Sequence, residues 1–564
     1  MADWQDTSYK LTSYQSKIEN ALVELRDEKV MSRIWAHDHT VWRPEPAEIT
    51  NRLGWLHTPE IMVDNIKRLE ALADDVRGSG YTDALLLGMG GSSLAPEVFQ
   101  KTCGAKEGFL NLAILDSTDP GAVLAHAKRL DPARTLFIVS TKSGTTVETL
   151  SFFKFFYNWV SSSLGENQAG ENFIAITDPG SSLTELAERY HFRECFLNDP
   201  NIGGRYSALS YFGLVPAALI GMDIQTLLDR AVTMACNCEA CNCPVAGNNN
   251  GGSLGVALGE LAKAGRDKAT LISSPRIASF GDWVEQLIAE STGKEGKGIL
   301  PVVGEQVGSP AVYGDDRLFV SLCLDGDETN DAFLTALEKA GHPVVRLFLH
   351  DRYDIGGQFF LWEMAIAVAG YRLGINPFDQ PDVEAAKIHA REITADYKAK
   401  GSLPEETPTF SGQGISVYGD VKANSPESAL IAFLEQAGPG AYIALQAYLQ
   451  PTAEIEAVLQ TLRAGLRDRF RLATTVGYGP RFLHSTGQLH KGDAGHGLFI
   501  QFTADDQTDI PIPEEAGSSD SSMTFGVLKA AQALGDRQAL LDKGRKVIRF
   551  HFKGDVVGGL KRLA

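Results

Sequence analysis

The sequence predicts an α/β protein of three parallel-sheet units in series behind an N-terminal helical segment. Short runs such as "DALLLG", "TLFIVST" and "KATLISS" are apolar and rich in β-branched residues, and read as strands. They are apolar throughout instead of alternating, which marks strands covered on both faces. Helical stretches lie between or after them, as a parallel sheet with helices on its faces requires.

Taken in order, an amphipathic helix over about 11 to 34 and a Trp-rich connector make up residues 1–60. The first unit, 61–220, carries the strands "DALLLG", "LAILD", "TLFIVST" and "NFIAITD" with helices such as "GAVLAHAKRL" and "SSLTELAERY". The second, 221–390, runs "KATLISS", the helix "DWVEQLIAEST", "RLFVSLCL", the helix "DAFLTALEKAG", "PVVRLFL" and the helix "QFFLWEMAIAVAGYRLG". Residues 391–428 turn polar, and "GSLPEETPTFSGQG" reads as a linker. A third α/β unit, 429–564, holds "AYIALQAYL", the helix "TAEIEAVLQTLRAGLRDRF", "LATTVGYG", "GLFIQFT", the helix "GVLKAAQALGD" and "KVIRFHF". Open sheets of this kind hold ligands beyond the carboxyl ends of their strands, so the loops there are the ones to read for chemistry.

Composition narrows the classes of function. With 44% hydrophobic and 22% charged residues over 564 positions, the chain is long enough to bury several cores. A formal charge of −19 argues against a nucleic-acid or anionic-membrane surface, which clustered Lys and Arg would hold. An anionic ligand must therefore be caught by a local pocket. The start "MADWQDTSYK" lacks a targeting pattern and no apolar run is long enough to span a bilayer, so a cytoplasmic enzyme is expected. Seven cysteines fit a reducing compartment. Four of them, Cys236, Cys238, Cys241 and Cys243, have a spacing that could wrap a zinc or copper ion. The Asn-rich segment that follows offers no second shell, and no metal is expected in the mechanism.

Residues 140 to 149, "STKSGTTVET", set one lysine among six hydroxyls at a strand-to-helix turn. Thr145 and Glu148 have the spacing of a capping box that fixes the helix start. Unpaired amides, the positive end of the helix dipole, an ammonium and several hydroxyls make an anion cradle, phosphate above all; the plainer alternative is a hydroxyl-rich cap with a solvated lysine. "GMGGSSLAPEV" supplies glycines for close backbone approach (Gly88, Gly90, Gly91) and Ser92 to open a helix, without the spacing of a dinucleotide fingerprint. "STGKEG" has glutamate where a Walker A loop needs Ser or Thr, which disfavours nucleotide binding. "NIGGRYSALS" sets Arg205 behind two glycines. In "GDWVEQLIAESTGKEG", Trp283, Gln286, Leu287 and Glu290 share one helical face, which turns Glu290 toward packed groups; the alternative is a cap or an ion pair with Lys294 or Lys297.

With "EQLIAESTGKEGKGILPV" and "GINPFDQPDVEAAK", these motifs, in this order over about 80 to 390, resemble the glucose-6-phosphate isomerase family. The resemblance implies two doubly wound parallel-sheet sugar-isomerase (SIS) domains, with a C-terminal α/β unit and an N-terminal helical segment added. The connector "RIWAHDHTVWRPEPAEITNRLGWL", "GKEGKGILPV" and the long C-terminal region look most like the isomerase half of transaldolase/glucose-6-phosphate isomerase fusions, without the transaldolase half.

Carried over residue by residue, the resemblance makes Gly91, Ser92, Thr141, Lys142, Ser143 and Thr146 a sugar-phosphate cradle. Thr141 stands where the family usually has serine, and Gly144 where many members have an aromatic. Glu290 corresponds to the base that moves a proton between C2 and C1, Gln286 to its neighbouring contact, and Gly204 and Arg205 to the pair beside the enediolate. Gln380 and Lys387 correspond to a late substrate contact and the ring-opening lysine. The family's ring-opening histidine is missing from "GILPVVGEQVGSPAVYGDD"; "FLHSTGQLHKGDAGHG" in the third unit has its appearance, which implicates His484, with His342 as the fallback. The expected activity is interconversion of glucose 6-phosphate and fructose 6-phosphate through a cis-enediol(ate), with no cofactor. Its expected partners are a phosphorylated hexose and a second copy of the chain as a homodimer, with no nucleic acid and no membrane. The alternatives are a non-catalytic sugar-phosphate regulator on the same fold and a dual phosphoglucose/phosphomannose isomerase.

Overall fold

A computed structural model describes residues 7–239, 241–242 and 248–564. Its first strand, β1 (Thr7–Lys10), is followed by helices Gln15–Asp27 and Val30–Trp35. The helix expected over 11 to 34 is thus broken, where Lys29 takes a left-handed conformation with φ 54°.

The first sheet contains β2 (Asp83–Gly88), β3 (Asn111–Leu115), β4 (Thr135–Ser140), β5 (Phe173–Thr177) and β6 (Glu194–Leu197), all parallel, in the order β3-β2-β4-β5-β6. Strand order reverses between β2 and β4, whose last residues, Gly88 and Ser140, lie side by side. The loops that leave them diverge to opposite sides and open a crevice, the usual ligand position in such a sheet.

β7 (Lys268–Ser273), β8 (Leu300–Val302), β9 (Arg317–Leu324) and β10 (Val344–Leu349) form the second parallel sheet, and β1 pairs antiparallel with β10 at its edge. Sequence reading missed β1 because four half-exposed residues carry little periodic signal.

The third sheet begins inside the stretch read as a linker. Helix Glu384–Lys400 runs well past residue 391, and β11 (Phe410–Gly412) and β12 (Ile415–Tyr418) form a hairpin against the sheet. β11 is the outer, partly exposed strand, whereas β12 lies between β11 and β18 and is buried; both are only three or four residues long and carry little pattern of their own. β13 (Tyr442–Tyr448), β14 (Ala473–Tyr478), β15 (Gly497–Ala504) and, after the small antiparallel pair β16 (Pro511–Ile512) and β17 (Met523–Thr524), β18 (Lys546–Phe552) complete it in the order β11-β12-β18-β15-β13-β14.

Packing does not respect the unit boundaries. A single apolar core joins Trp55 of the connector, Leu86 of β2, and Trp283 and Trp362 of second-unit helices. On the other face of the first sheet, Phe137, Phe153 and Phe156 share a core with Ile510, Ile512 and Phe525 of the third unit. Helix Glu384–Lys400 lies so close to helix Phe525–Asp542 that a Cβ at Gly535 would stand 2.7 Å from the Ala390 amide nitrogen. The third unit is therefore wrapped onto the other two. Among the described residues no helix is long and apolar enough to cross a membrane.

Candidate active site

The loops after β2 and β4 meet at a hydroxyl-lined cavity of about 420 Å³. Ser92, Thr141, Lys142, Ser143, Thr146 and Gly91 line it, and so does Gly204, which the resemblance had set beside Arg205. Gly91 is required there: a Cβ would fall 2.0 Å from the Gly204 carbonyl oxygen, so the two glycine loops touch backbone to backbone. Ser140 Oγ donates to the Ser92 carbonyl at 3.1 Å, and Thr141 Oγ1 and Thr146 Oγ1 are 2.9 Å apart. Two residues that sequence reading passed over also line the cavity, Arg52 from the connector and Asp178 from the end of β5. Asp178 pairs with the Lys142 ammonium, which also donates to the Pro200 carbonyl at 3.0 Å. Burial pushes the Asp178 carboxyl above its usual range, and Lys142 offsets part of that rise.

The expected Thr145–Glu148 capping box is not formed. Helix Val147–Leu164 is capped at Thr146 with no side-chain closure, and Thr145 Oγ1 meets Ser143 Oγ at 2.9 Å instead. Glu148 is buried, and a buried carboxylate needs partners of its own. It finds them in the third unit: His484 Nε2 lies 3.0 Å from Oε1, and Gln532 Nε2 donates to the same oxygen at 2.7 Å. Burial raises the Glu148 pKa most, but the attraction and hydrogen bond of His484 lead a set of contacts that outweigh it and leave the group below the usual carboxylate range.

Helix Phe280–Thr292 carries the candidate base. Trp283, Gln286 and Leu287 are buried on it, and Glu290 turns to polar partners beside them. Gln286 Nε2 donates to Glu290 Oε2 at 3.2 Å, and Arg205 Nη1 stands 3.7 Å from the same oxygen. Lys294 and Lys297, the alternative partners, are engaged elsewhere, with Asp379 and the Leu373 carbonyl. Arg205 is 2% exposed and held on every side. It donates to Ser291 Oγ at 2.8 Å, Gln380 Oε1 at 2.9 Å, the Pro377 carbonyl at 2.7 Å and the Asp379 carbonyl at 3.0 Å. A guanidinium so fixed is a preorganised positive charge.

A second cavity, of about 500 Å³, adjoins the cradle and shares Ser143 and Thr146 with it. Lys387, His484, Glu148, Lys491 and Gln532 line it. Lys387 is half-exposed, with Glu384 Oε2 3.9 Å away. The backbone ties the regions together, because Gln286 Nε2 also donates to the His484 carbonyl at 2.7 Å. A Cβ at Gly90 would lie 2.9 Å from both that nitrogen and that oxygen. The His484 turn is anchored by Gln488, which donates to the Gly293 carbonyl and Asp382 Oδ2, both at 2.9 Å, and accepts from the Asp382 amide at 2.8 Å. Lys491 and Asp536 form a buried pair at 2.6 Å behind it.

His342 lines neither cavity and packs edge-on against Phe319 and Tyr313. Cys238 faces the core, Cys236 and Cys241 are exposed, and Cys243 lies outside the described residues. Among the described residues no group of three or more His, Cys, Asp or Glu is arranged to hold a metal ion. Of the residues missed, Glu148 and Asp178 lie in the quoted runs "STKSGTTVET" and "NFIAITD", and Arg52 in the connector had only its charge to mark it.

Doubly wound parallel sheets with this architecture define the sugar-isomerase class of α/β proteins. A family model described as phosphoglucose isomerase matches residues 64–299. A glucose-6-phosphate isomerase of Symbiobacterium thermophilum is 30% identical over 59% of this chain and 85% of its own length. That of Rubrobacter xylanophilus is 28% identical over 68% of this chain and 97% of its own. Among solved structures, a hypothetical protein of Thermus thermophilus superposes with a TM-score of 0.58 at 26% identity, covering 68% of this chain and 99% of that one. A glucose-6-phosphate isomerase of Chlamydia trachomatis gives 0.58 at 19% identity, over 71% and 89%, and shares the fold. The chain belongs to the glucose-6-phosphate isomerase family.

Proposed function

We propose that the chain interconverts glucose 6-phosphate and fructose 6-phosphate by moving one proton between C2 and C1 through a cis-enediol(ate). The observation that carries this reading is the Glu290 carboxylate set between the Gln286 amide and the immobilised Arg205 guanidinium. Proton abstraction next to a carbonyl needs a base and a fixed positive charge where the oxyanion develops, and these residues supply both. The cradle of Ser92, Thr141, Lys142, Ser143 and Thr146 takes the phosphate, and the adjoining cavity directs the sugar toward Lys387 and His484. Glu148 takes up His484 Nε2, which leaves Nδ1 as the nitrogen that exchanges a proton in ring opening. Lys387 is the accompanying cation, with Gly204 and Gln380 as substrate contacts. The sequence of steps is proton transfer with no net oxidation, so it calls for no redox cofactor.

A regulator without activity would need the cradle alone, whereas this chain also carries Glu290, Arg205 and Lys387. The relatives matched are named for the glucose 6-phosphate reaction, which disfavours the dual phosphomannose alternative. A homodimer is the expected assembly, and sedimentation reads the oligomeric state directly. By the sequence resemblance of its connector and third unit, the chain is read as akin to the isomerase half of transaldolase fusions, acting in the cytoplasm. Glu290→Gln keeps size and some hydrogen bonding but removes the base. Turnover of fructose 6-phosphate should fall by about 100- to 10,000-fold with binding nearly intact. Turnover within a few-fold of the parent would sink the assignment.

A further inference from the structure

The cradle is short of positive charge. A sugar phosphate at neutral pH carries close to two negative charges, while the Lys142 ammonium at the cavity is already paired with the Asp178 carboxylate, which lines the same cavity. That pair sums to zero. The second Asp178 oxygen, Oδ1, is buried and has no hydrogen-bond partner among the described residues. A dianion entering here meets a carboxylate as well as an ammonium.

Among the described residues lining the cavity, Arg52 is the other basic side chain. Its guanidinium forms an ion pair with Glu48 Oε2 at 2.8 Å, a half-exposed carboxylate that does not line the cavity, and donates to the Asn51 carbonyl at 3.1 Å, which leaves three of its five N–H groups for a ligand. The backbone holds it in place. Leu53 forms an antiparallel bridge with Ile202, the Gly54 amide donates to the Asn201 carbonyl at 3.1 Å, and a Cβ at Gly203 would lie 3.8 Å from Arg52 Cδ. The connector is thus stitched to the loop that leads into Gly204 and Arg205.

We infer that Arg52, carried by the N-terminal connector, is a second phosphate-binding residue of the cradle: its partner carboxylate, Glu48, lies outside the cavity lining and is half-exposed, so Arg52 brings into the cavity the positive charge that Asp178 takes from Lys142. This rests on the reading of the cavity as a phosphate site. Arg52 presents its planar fork to two phosphate oxygens while Lys142 contributes a point charge, the usual division between the two side chains. The connector then becomes a substrate-binding element, and phosphate capture is linked through residues 199–203 to the loop that positions Arg205.

The test is a double-mutant cycle read by calorimetric titration with inorganic phosphate and by steady-state kinetics on fructose 6-phosphate. Arg52→Gln should weaken phosphate and raise KM by about 10- to 100-fold, with kcat within a few-fold. Arg52→Lys should recover most of the loss. Asp178→Asn should tighten phosphate, and in that background Arg52→Gln should cost only a few-fold, because Lys142 is free. Phosphate affinity and KM within two-fold of the parent in Arg52→Gln overturn the inference, as does a fall in kcat that matches the rise in KM. If Arg52→Gln does not fold, failure of Asp178→Asn to tighten phosphate overturns it. A wild-type protein that binds phosphate but does not turn over fructose 6-phosphate defeats the isomerase reading and leaves Arg52 to the phosphate arm. One that binds no phosphate defeats both.

Discussion

His484 rides on a turn of the third unit, yet its ring bonds to Glu148 at the start of a first-unit helix, 336 positions away in sequence. The carboxylate fixes one ring nitrogen, and in the proposed mechanism ring opening at His484 and Lys387 is a step separate from proton transfer at Glu290. His484→Ala should slow the reaction of cyclic glucose 6-phosphate by about 100-fold or more. Exchange of the C2 proton in an open-chain analogue should stay within a few-fold of the parent. Equal losses in the two assays, followed by NMR in deuterated buffer, would remove His484 from ring opening. Glu290 and Arg205 could be picked out because each lies in a contiguous motif with its neighbours. Glu148 could not, because T-x-x-E is a complete local pattern in itself, and nothing in it reports that a distant imidazole will take the carboxylate instead.

The short helix Gly487–Gly492 works as a clamp between the third unit and the loop after helix Phe280–Thr292. Gln488 makes three hydrogen bonds to Gly293 and Asp382, and a Cβ at Gly492 would lie 2.3 Å from the Gly293 carbonyl oxygen. Truncating that side chain strands a buried carbonyl and an amide, so Gln488→Ala should cost about 1–3 kcal/mol in denaturant unfolding. It should also lower kcat/KM for cyclic substrate, since the His484 carbonyl that holds Gln286 belongs to the same turn. Unchanged stability and activity together would show that the clamp carries no weight. Strands buried on both faces, such as β2, β4 and β9, announce themselves by unbroken apolar runs. The outer strand β11 and the edge strand β1 are partly wet, and β12, though buried, is four residues long, so none of the three carries enough periodic pattern to be read as a strand.

Where the third unit meets the other two, carboxylates gather around Arg481. It pairs with Glu97 and lies 3.2 Å from Asp116, with Glu285 in the same cleft as Arg481. Burial, reinforced by Asp282, pushes the Glu285 carboxyl up from the usual 4.5 to about 8. Below pH 4.5 it is neutral in both folded and unfolded chains; as pH rises toward 8 only the unfolded chain releases the proton, so stability falls across that window. Glu285→Gln should therefore be the more stable protein at pH 8.5. Allowing for solvent at the cleft mouth, the gain is on the order of 2 kcal/mol, and it should vanish toward pH 4.5. Parallel melting curves for parent and variant would refute it. The partner carboxylate has the opposite sign. Burial raises the Glu97 pKa most, but the pull of Arg481 and Lys101 prevails and brings it down to about 2, so its contribution is lost as pH falls from 4.5 toward 2. The serial units were legible from strand and helix spacing, but their mutual packing was not, because periodicity says which face is apolar without saying which surface covers it.

The pairing of β1 with β10 has a consequence in time. Thr7–Lys10 emerges from the ribosome long before Val344–Leu347, the segment it must pair with, has been translated. At ordinary translation speeds the interval is on the order of tens of seconds. Throughout it the nascent polypeptide carries an orphan strand and an amphipathic helix whose core partners do not yet exist. The second sheet is therefore sealed late by a segment made long before it, and a synthesis halted before β10 leaves that strand open to whatever other edge it meets.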